Sequence, residues 1–406
     1  MTGAPCDEHA MRDVGGRVRR PADCGAAAPR QRVLFIGKRY YTNRDALLDR
    51  YGRIFELPSR WVGMGIAAQL WLVDYHGRVA WHGEVEGLPL FSTPVFGTRF
   101  VRALLAQVLA VGKRRRPTHV VASGDCYIGL LGWLLARLCG ARFAFDVYDR
   151  YDLFQGYRAL PGFDPWKFLL ARSDRLLFAS RVLASDCDPA ASRSAIVPNG
   201  IDPERFFPRD RDLCRAEFGL DTQTTFVGYA GSLDPDRGIE DLLEAVELLR
   251  RDGRDIALLL AGAQRAGLDL QRPWVRYLGN LPPQRVPVAL GCCDVLALPY
   301  RSTPYLDMAS SCKIAEYLAC ARPIAATRTP NLQSNFPQQA SQLEARLAEP
   351  GDAQSLARSI DAQLRDPVVV ASQPQMNWQC VAAHAAVALG LTPRPDEACP
   401  DPAARA

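Results

Sequence analysis

Short runs of aliphatic and β-branched residues alternate along the chain with longer segments whose apolar positions recur at helical spacing. From residue 32 the strand-like runs are RVLFIG, LWLVDY, HVVAS and RFAFDVYD, and the segment RFVRALLAQVLAVGKRRR between them has the pattern of an amphipathic helix. Alternation of this kind is typical of parallel sheets covered by helices. The pattern therefore predicts an α/β domain.

The alternation starts again after a segment rich in proline and charge, IDPERFFPRDRD at residues 201–212. The second series consists of TFVGYAGSL, the helix GIEDLLEAVELLRRDG, IALLLAGA, VRYLGNL, the helix RVPVALGCC, DVLALPY, a helix beginning near Ser310 or Ser311, and PIAAT. We therefore expect two Rossmann-like, doubly wound parallel-sheet domains that face a cleft. Open parallel sheets bind ligands beyond the carboxyl ends of their strands, so the cleft is the expected site.

Composition and charge narrow the class of protein. The chain has 406 residues, of which 48% are hydrophobic and 23% charged, as in two-domain globular proteins rather than fibrous or disordered chains. The 49 basic and 44 acidic side chains nearly balance, which argues against a nucleic-acid partner. The first thirty residues contain arginines but no apolar core segment, so they predict a disordered extension rather than a secretory signal, and a cytoplasmic location.

Cysteines and apolar stretches add two expectations. The twelve cysteines occur singly apart from Cys292–Cys293 and lack metal-ligand spacing, so we expect reduced, buried thiols. The longest apolar stretch, YIGLLGWLLARLC at residues 127–139, is interrupted by Arg137 and is shorter than the roughly 20 residues that span a bilayer. It predicts a buried helix.

The segment GSLDPDRG, residues 231–238, joins a predicted strand to a predicted helix. Glycine allows a close backbone approach, and helix N-termini and cations attract phosphate groups. Gly231 ends the strand, and Arg237 and Gly238 are predicted to begin the helix. Arg237 is thus a candidate phosphate ligand, with a solvated residue at the helix start as the structural alternative.

A cation and an acid open the helix in SSCKIAEYLACARPIAAT. Residues three apart share a helix face, so Lys313 and Glu316 are expected to project together towards the carboxyl edge of the sheet. A cation suits a phosphate, and a carboxylate can accept two hydrogen bonds from a vicinal diol. The structural alternative is an ordinary surface ion pair between the two.

Two loops of the first half carry further candidates. The segment FDVYDRYD places Asp149 after a strand, where a carboxylate can orient or deprotonate a hydroxyl, whereas Asp146 is expected to cap the strand end. Gly37, Lys38 and Arg39 follow the first strand. They are expected either to line the cleft, around one ligand or around the phosphates of another, or to pack structurally under the other domain.

The order of segments over residues 194–330 resembles the GT-B glycosyltransferases, and specifically the large family 4 (glycosyl transferases group 1). The matching pieces are VPNGIDPERFFP, GYAGSLDPDRGIEDLLEAVELL, LLLAGA, VRYLGNLP, CDVLALPY and SSCKIAEYLACARPIAAT. This resemblance implies transfer of a sugar from a nucleotide-diphosphate donor to a hydroxyl acceptor, with retention of anomeric configuration. It also implies a role in surface polysaccharide or glycolipid synthesis.

The resemblance assigns roles to individual residues. The residues implied to meet the donor diphosphate are Gly231, Ser232, Arg237 and Lys313, although Ser232 stands where the family often has a cation. Glu316 is the second acid of the E-x7-E motif and is implied to accept hydrogen bonds from the ribose.

The first acid of that motif is absent from the chain, because Met308 occupies its position and Asp307 is one residue off. Three alternatives stay open: Asp307 contacts the donor sugar from a shifted loop, backbone groups do so, or activity is lost. The last alternative would leave a non-catalytic nucleotide-sugar-binding protein or a partner subunit.

Metal and membrane expectations complete the picture. The triplet Asp-x-Asp occurs three times in unrelated places, beginning at residues 186, 210 and 234, and we expect no obligatory metal and no other cofactor. The expected partners are a nucleotide-sugar donor and a saccharide or lipid-linked acceptor. GKRRRP at residues 112–117 either complements a helix dipole or contacts the inner face of the plasma membrane.

The expected organisation therefore has five segments. They are a disordered extension (1–30), an N-terminal Rossmann-like acceptor domain (31–198), a C-terminal Rossmann-like nucleotide-sugar donor domain (199–376), a helix packing back on the N-terminal domain (377–391) and a flexible tail (392–406).

Overall fold

The computed structural model describes residues 31–394 except 42–43, 78–79, 96, 109–115, 155, 189 and 266, together with residue 399. The predicted extension at residues 1–30 lies outside the described residues. So do most of the predicted tail and all of the 112–117 basic segment except Arg116 and Pro117. In the part of the chain that is described, no helix is both long enough and apolar enough to cross a membrane.

The N-terminal half is built on an eight-stranded sheet. The strands of this half, in chain order, are β1 (Arg32–Lys38), β2 (Tyr40–Tyr41), β3 (Arg44–Asp45), β4 (Ala67–Asp74), β5 (Trp81–Val85), β6 (Leu88–Pro94), β7 (His119–Ser123), β8 (Arg142–Val147), β9 (Arg175–Phe178) and β10 (Ser194–Ile196). Strands β2 and β3 form a separate two-stranded ribbon, and the other eight form the sheet. The spatial order is β10-β9-β8-β7-β1-β4-β6-β5. All neighbours pair in parallel except β5, which runs antiparallel to β6 at the sheet edge. The sequence pattern did not predict this edge hairpin.

Helices cover both faces of this sheet. They are α1 (Arg53–Gly63), α2 (Thr98–Val108), α3 (Cys126–Cys139), α4 (Pro165–Arg172) and α5 (Arg181–Cys187). Successive residues of a strand point to opposite faces, so Phe35 packs with Trp61 of α1 while Ile36 packs in the cluster that contains Ile128 of α3. The expectation that α3 is buried all round was wrong, because Leu134 and Leu138 on its outer face are 43% and 51% exposed.

The C-terminal half is built on a five-stranded, wholly parallel sheet in the order β13-β12-β11-β14-β15. The strands are β11 (Thr225–Ala230), β12 (Ile256–Ala261), β13 (Val275–Tyr277), β14 (Val295–Leu298) and β15 (Ile324–Ala326). Its helices are α6 (Arg211–Phe218), α7 (Ile239–Arg251), α8 (Val286–Gly291), α9 (Pro304–Met308), α10 (Cys312–Ala319), α11 (Pro330–Asn335), α12 (Pro337–Leu343) and α13 (Ala353–Arg365). The expected α/β class with two Rossmann-like sheets is confirmed.

The last helix, α14 (Trp378–Ala388), returns to the N-terminal half. It packs against α1, and the indole Nε1 of Trp61 donates to the carbonyl of Ala382 at 2.8 Å. Cys380 of this helix forms a disulfide with Cys399. The expectation that all cysteines are reduced was therefore wrong for this pair. Two cysteines 19 positions apart meet only because the chain folds back along its last helix, a contact that spacing does not reveal.

A buried ion pair joins α1 to the centre of the first sheet. The guanidinium of Arg53 donates to both carboxylate oxygens of Asp146 at 2.6 and 2.9 Å and to the carbonyl of Val197 at 2.7 Å. Ser123 donates a further hydrogen bond to the same carboxylate at 2.6 Å. Asp146 therefore links α1, β7 and β8 rather than only capping a strand.

We expect Asp146→Asn to destabilise the N-terminal half by about 3 kcal/mol, because it leaves the buried Arg53 charge uncompensated. Urea unfolding followed by circular dichroism measures this loss. The matched control is Glu86→Gln, which breaks the exposed Arg50–Glu86 pair and is expected to cost less than about 1 kcal/mol. Equal effects of the two variants would contradict the structural role given to the buried pair.

Candidate active site

The loop after β11 and the first turn of α10 meet closely at the carboxyl edge of the second sheet. Gly231 donates its backbone N–H to the carbonyl of Ala261 at 2.8 Å, which continues the sheet by one residue. A Cβ atom on Gly231 would lie only 2.0 Å from Cε of Lys313. The side chain of Lys313 therefore lies across this glycine, in the space that any other residue would occupy. Ser232, the next residue, is half-buried beside it.

Arg237 lies on the same edge. Its guanidinium stacks 5.2 Å from the ring centroid of Tyr300, and its buried Nε has no hydrogen-bond partner in the described structure. Among the described residues, neither Arg237 nor Lys313 forms an ion pair. Two cations without acidic partners in one cleft are available to an anion.

The expectation that Arg237 and Gly238 begin the following helix was wrong. Arg237 ends a short 3₁₀ turn, Pro235–Arg237, and α7 begins at Ile239. Gly238 between them has φ 69°, and a Cβ there would lie 1.7 Å from the carbonyl oxygen of Pro299. The chain must therefore turn sharply at a glycine before α7 starts, and the turn places Arg237 against Tyr300.

Glu316 is buried on the inner face of α10, with 8% of its surface exposed. The helix begins at Cys312 with Ser311 as its N-cap residue, close to the predicted start. The carboxylate accepts a hydrogen bond at 3.0 Å from the hydroxyl of Tyr51, which belongs to the N-terminal half. The alternative of an ion pair between Lys313 and Glu316 is not found, so the two side chains do not neutralise each other.

Asp149 faces the cleft from the first sheet and is also buried. It accepts hydrogen bonds from Tyr41 at 2.5 Å and from Tyr305 of α9 at 3.4 Å. Burial raises the pKa of Asp149 to about 6, and the two tyrosine hydroxyls and the charge of Arg237 moderate that rise.

The loop after β1 differs from its predicted role. Arg39 is buried and donates to both oxygens of Asp45 at 3.0 to 3.2 Å, with Asp74 at 3.6 Å, so it serves packing rather than ligand binding. Gly37 packs against Ile54, where a Cβ would lie 2.4 Å from a side-chain carbon. Lys38 pairs with Asp125 at 3.6 Å and remains partly exposed. Gly37 and Arg39 thus pack within their own half, neither lining the cleft nor lying under the other domain as the structural alternative expected.

Asp307 and Met308 lie on α9, between the two halves. Asp307 accepts a hydrogen bond from Ser302 at 2.6 Å, and its other carboxylate oxygen is buried without a partner in the described structure. Met308 contacts the N-terminal half: its sulfur lies 3.8 Å from Nη1 of Arg150, and its carbonyl accepts a hydrogen bond from Ser180. The position of the missing acid is thus occupied by an interdomain packing contact.

The Asp-x-Asp triplets are dispersed. Asp210 caps α6 through the N–H of Leu213, and Asp234 pairs with Arg265 at 3.6 Å. Within the described ranges, no group of three His, Cys, Asp or Glu side chains is arranged to hold a metal ion. Metal-independent activity stays a prediction.

Comparison with known proteins found a family model that matches part of this chain. Residues 224–366, which include the Gly231 loop, Arg237 and α10, match the family model for glycosyl transferases group 1. These 143 residues are therefore similar to the group 1 glycosyl transferases. The whole described architecture has the GT-B fold, as sucrose-phosphate synthase from Thermosynechococcus elongatus has (TM-score 0.66, 17% identity, covering 88% of this chain and 98% of that one).

Two glycosyltransferases are similar to the chain in sequence. The chain is 25% identical over 309 residues to 2-deoxystreptamine glucosyltransferase of Streptomyces kanamyceticus, covering 69% of this chain and 78% of that protein. It is 31% identical over 159 residues to D-inositol 3-phosphate glycosyltransferase of Nocardia farcinica, covering 34% of this chain and only 35% of that protein. A similar fold occurs in HepE of Anabaena in complex with UDP and glucose (TM-score 0.56, 15% identity, covering 90% of this chain and 97% of that one).

The sequence analysis missed the tyrosines that reach the two carboxylates. Tyr51 and Glu316 are 265 positions apart, and Tyr305 and Asp149 are 156 apart. Neither tyrosine lies in a motif or at a helical spacing from its partner. Only the tertiary contact between the halves reveals them.

We expect Lys313→Ala to weaken the binding of inorganic pyrophosphate by about tenfold, because a charge-assisted hydrogen bond contributes roughly 1.5–3 kcal/mol. Isothermal titration calorimetry measures the affinity. Lys167→Ala, which removes an exposed lysine of α4, is the matched control and should leave the affinity unchanged. Unaltered pyrophosphate binding in Lys313→Ala would show that Lys313 does not contact the ligand.

Proposed function

We propose that the chain is a glycosyltransferase that moves a sugar from a nucleotide-diphosphate donor to a hydroxyl acceptor, closing its two halves around both. The observation that carries the proposal is the convergence of Lys313 on Gly231, with Arg237 on the same edge and no acid neutralising either cation among the described residues. The glycosyltransferase names of the sequence relatives support the same activity.

The two cations suit the chemistry of the leaving group. Breaking the bond between a sugar and a nucleoside diphosphate concentrates negative charge on the departing diphosphate. Preorganised cations in a site with little water stabilise that charge more than water does. In this proposal Lys313 and Arg237 bind the diphosphate, the backbone at Gly231 and Ser232 approaches it closely, and no metal ion is required.

The two buried carboxylates take the remaining roles. Glu316 accepts hydrogen bonds from the ribose hydroxyls, because its two oxygens match a vicinal diol. Asp149 orients the acceptor hydroxyl and accepts its proton as the new glycosidic bond forms. Tyr305 of α9, in the half that would bind the donor, donates a hydrogen bond to Asp149 at 3.4 Å, so this carboxylate lies against that half. Retention of anomeric configuration, proposed from the family resemblance, then requires the hydroxyl held by Asp149 to attack the sugar from the same face that the diphosphate leaves.

The acceptor is proposed to be a saccharide or a lipid-linked saccharide, in the synthesis of a surface polysaccharide or glycolipid. The two sequence relatives are named for 2-deoxystreptamine and D-inositol 3-phosphate, so polyols with a hydroxylated ring are further acceptors to test. Lys38 and Asp125, at the carboxyl edge of the first sheet, present hydrogen-bonding groups that suit any of these polyols.

Incubation with UDP-, GDP- and ADP-sugars and a panel of such acceptors tests the proposal. We expect one donor to be consumed with formation of a glycoside, and Glu316→Ala to weaken binding of that donor. Donor binding without hydrolysis or transfer would favour the alternative, a non-catalytic nucleotide-sugar-binding protein or partner subunit. Absence of binding to every donor would reject both functions.

The pH dependence of transfer tests the role of Asp149. Its folded pKa of about 6 lies above the ordinary value of 3.8, so the carboxylate is charged only above about pH 6. The ratio kcat/KM for transfer, which reports the protein before the donor binds, is therefore expected to rise between pH 5 and pH 7 and to reach half of its maximum near pH 6. Asp149→Asn should lower the rate by about 100-fold or more and remove this rise. A pH profile that is the same in the variant would contradict the role of Asp149.

Peripheral membrane contact is a further part of the proposal, since a lipid-linked acceptor lies at a membrane surface. Exposed apolar side chains occur on α2, at Val101 and Leu105, and on α3, at Leu134 and Leu138, and the two helices contact each other. Arg102 and Arg116 are exposed nearby. Apolar side chains flanked by cations favour binding to an anionic bilayer surface.

We expect the protein to float with vesicles that contain anionic lipid, and Leu134→Ser with Leu138→Ser to reduce the bound fraction by about half or more, because the apolar contact is lost. Arg114, Arg115 and Arg116 changed to Ser should have a similar effect. Leu213→Ser, at an exposed position of α6 in the other half, is the matched control. Equal flotation of all variants would reject the membrane contact.

A further inference from the structure

Tyr51 reaches the predicted ribose site from the opposite half of the molecule. Its hydroxyl donates to Oε1 of Glu316 at 3.0 Å, and this is the only hydrogen bond found for that carboxylate in the described structure. Tyr51 is the second residue before α1, whose first residue, Arg53, is fixed by the buried pair with Asp146. The tyrosine is thus anchored in the N-terminal half while its hydroxyl lies in the C-terminal half.

The residues on both sides of Tyr51 have positive φ angles. Arg50 before it has φ 47° and Gly52 after it has φ 79°, so two residues in the left-handed region flank the tyrosine. A residue other than glycine seldom adopts this conformation, and Arg50 does so here. The two turns direct the side chain of Tyr51 out of the N-terminal half towards α10.

The contact has a consequence for access. Glu316 is 8% exposed, so little of its carboxylate can be reached from solvent while Tyr51 is in place. A ribose that bridges both carboxylate oxygens needs the space beside them. A ribose and the phenol of Tyr51 therefore compete for one carboxylate.

We propose that Tyr51 is a competing occupant of the ribose subsite, which a nucleoside diphosphate must displace in order to reach Glu316. The inference rests on the proposed function, because it takes Glu316 to be the ribose ligand. In the nucleotide-free protein Tyr51 satisfies a buried carboxylate that would otherwise lose its hydrogen bonds. When a nucleotide binds, its ribose hydroxyls replace that hydrogen bond and Tyr51 separates from α10.

A second contact of the same kind crosses the cleft in the opposite direction. Tyr305 of the C-terminal half donates to Asp149 of the N-terminal half at 3.4 Å. Each predicted ligand carboxylate is therefore hydrogen-bonded to a tyrosine from the other half. The Tyr51 contact must therefore break for the donor to enter, before the halves close around both substrates, which links donor binding to the domain movement.

Tyr51→Phe tests the proposal, because it retains the ring and removes only the hydroxyl. Calorimetry with UDP, GDP and ADP identifies the nucleotide that binds the wild-type chain, and inorganic pyrophosphate serves as a ligand that meets the cations but has no ribose. We expect Tyr51→Phe to bind the nucleotide about fivefold more tightly, as loss of one competing hydrogen bond implies. The affinity for pyrophosphate should not change.

Tyr157→Phe is the matched control. It removes a hydrogen bond from a tyrosine to Asp164 in the N-terminal half, away from Glu316, and should alter neither affinity. If Tyr51→Phe binds the nucleotide as tightly as the wild-type chain or more weakly, and still binds pyrophosphate, the proposed competition between Tyr51 and the ribose is rejected. The proposed function is not affected by that result. A wild-type chain that binds neither pyrophosphate nor any of the nucleotides overturns both.

Discussion

The close approach of Lys313 to Gly231 is the constraint on which the candidate site depends. The loop after β11 has no side chain at this position, and the lysine of α10 fills the space that a Cβ would take. The glycine thereby brings a cation of one element against the backbone of another. Arg237 joins them because Gly238 turns the chain beside Pro299 before α7 begins. A cationic edge follows from two places where only glycine fits.

The acidic side of the cleft depends on contacts between the halves. Burial is costly for a carboxylate unless it is hydrogen-bonded. Glu316 meets this requirement with Tyr51 of the opposite half, and Asp149 meets it with Tyr41 of its own half and Tyr305 of the other. The buried Arg53–Asp146 pair positions α1, and with it Tyr51. Met308 packs on the N-terminal half at the position where the family has an acid. The interface is therefore part of the site, and ligand binding must rearrange it.

The sequence predicted those features that depend on local pattern. Short apolar runs that alternate with segments of helical spacing predicted both sheets, and the three-residue separation of Lys313 and Glu316 placed both on the inner side of α10. Features that depend on distant partners were missed. Arg39 has the appearance of a free cation until Asp45 and Asp74 are seen around it, and Tyr51 has no signal in its own neighbourhood. The start of α7 was misplaced because the carbonyl of Pro299, which forces the turn at Gly238, is distant in sequence. The pairing of Cys380 with Cys399 depends on how the chain returns after α14.

Binding of inorganic pyrophosphate to Gly231→Ala tests the central claim most directly. The added methyl group would lie 2.0 Å from Cε of Lys313 and 2.8 Å from the hydroxyl oxygen of Tyr229, so both side chains must shift. We expect the free energy of unfolding to fall by about 1–3 kcal/mol while the chain still folds. The ammonium would be displaced from the loop, and we expect the affinity for pyrophosphate to fall by about tenfold. A folded Gly231→Ala variant that binds pyrophosphate as tightly as the wild-type chain would contradict the account.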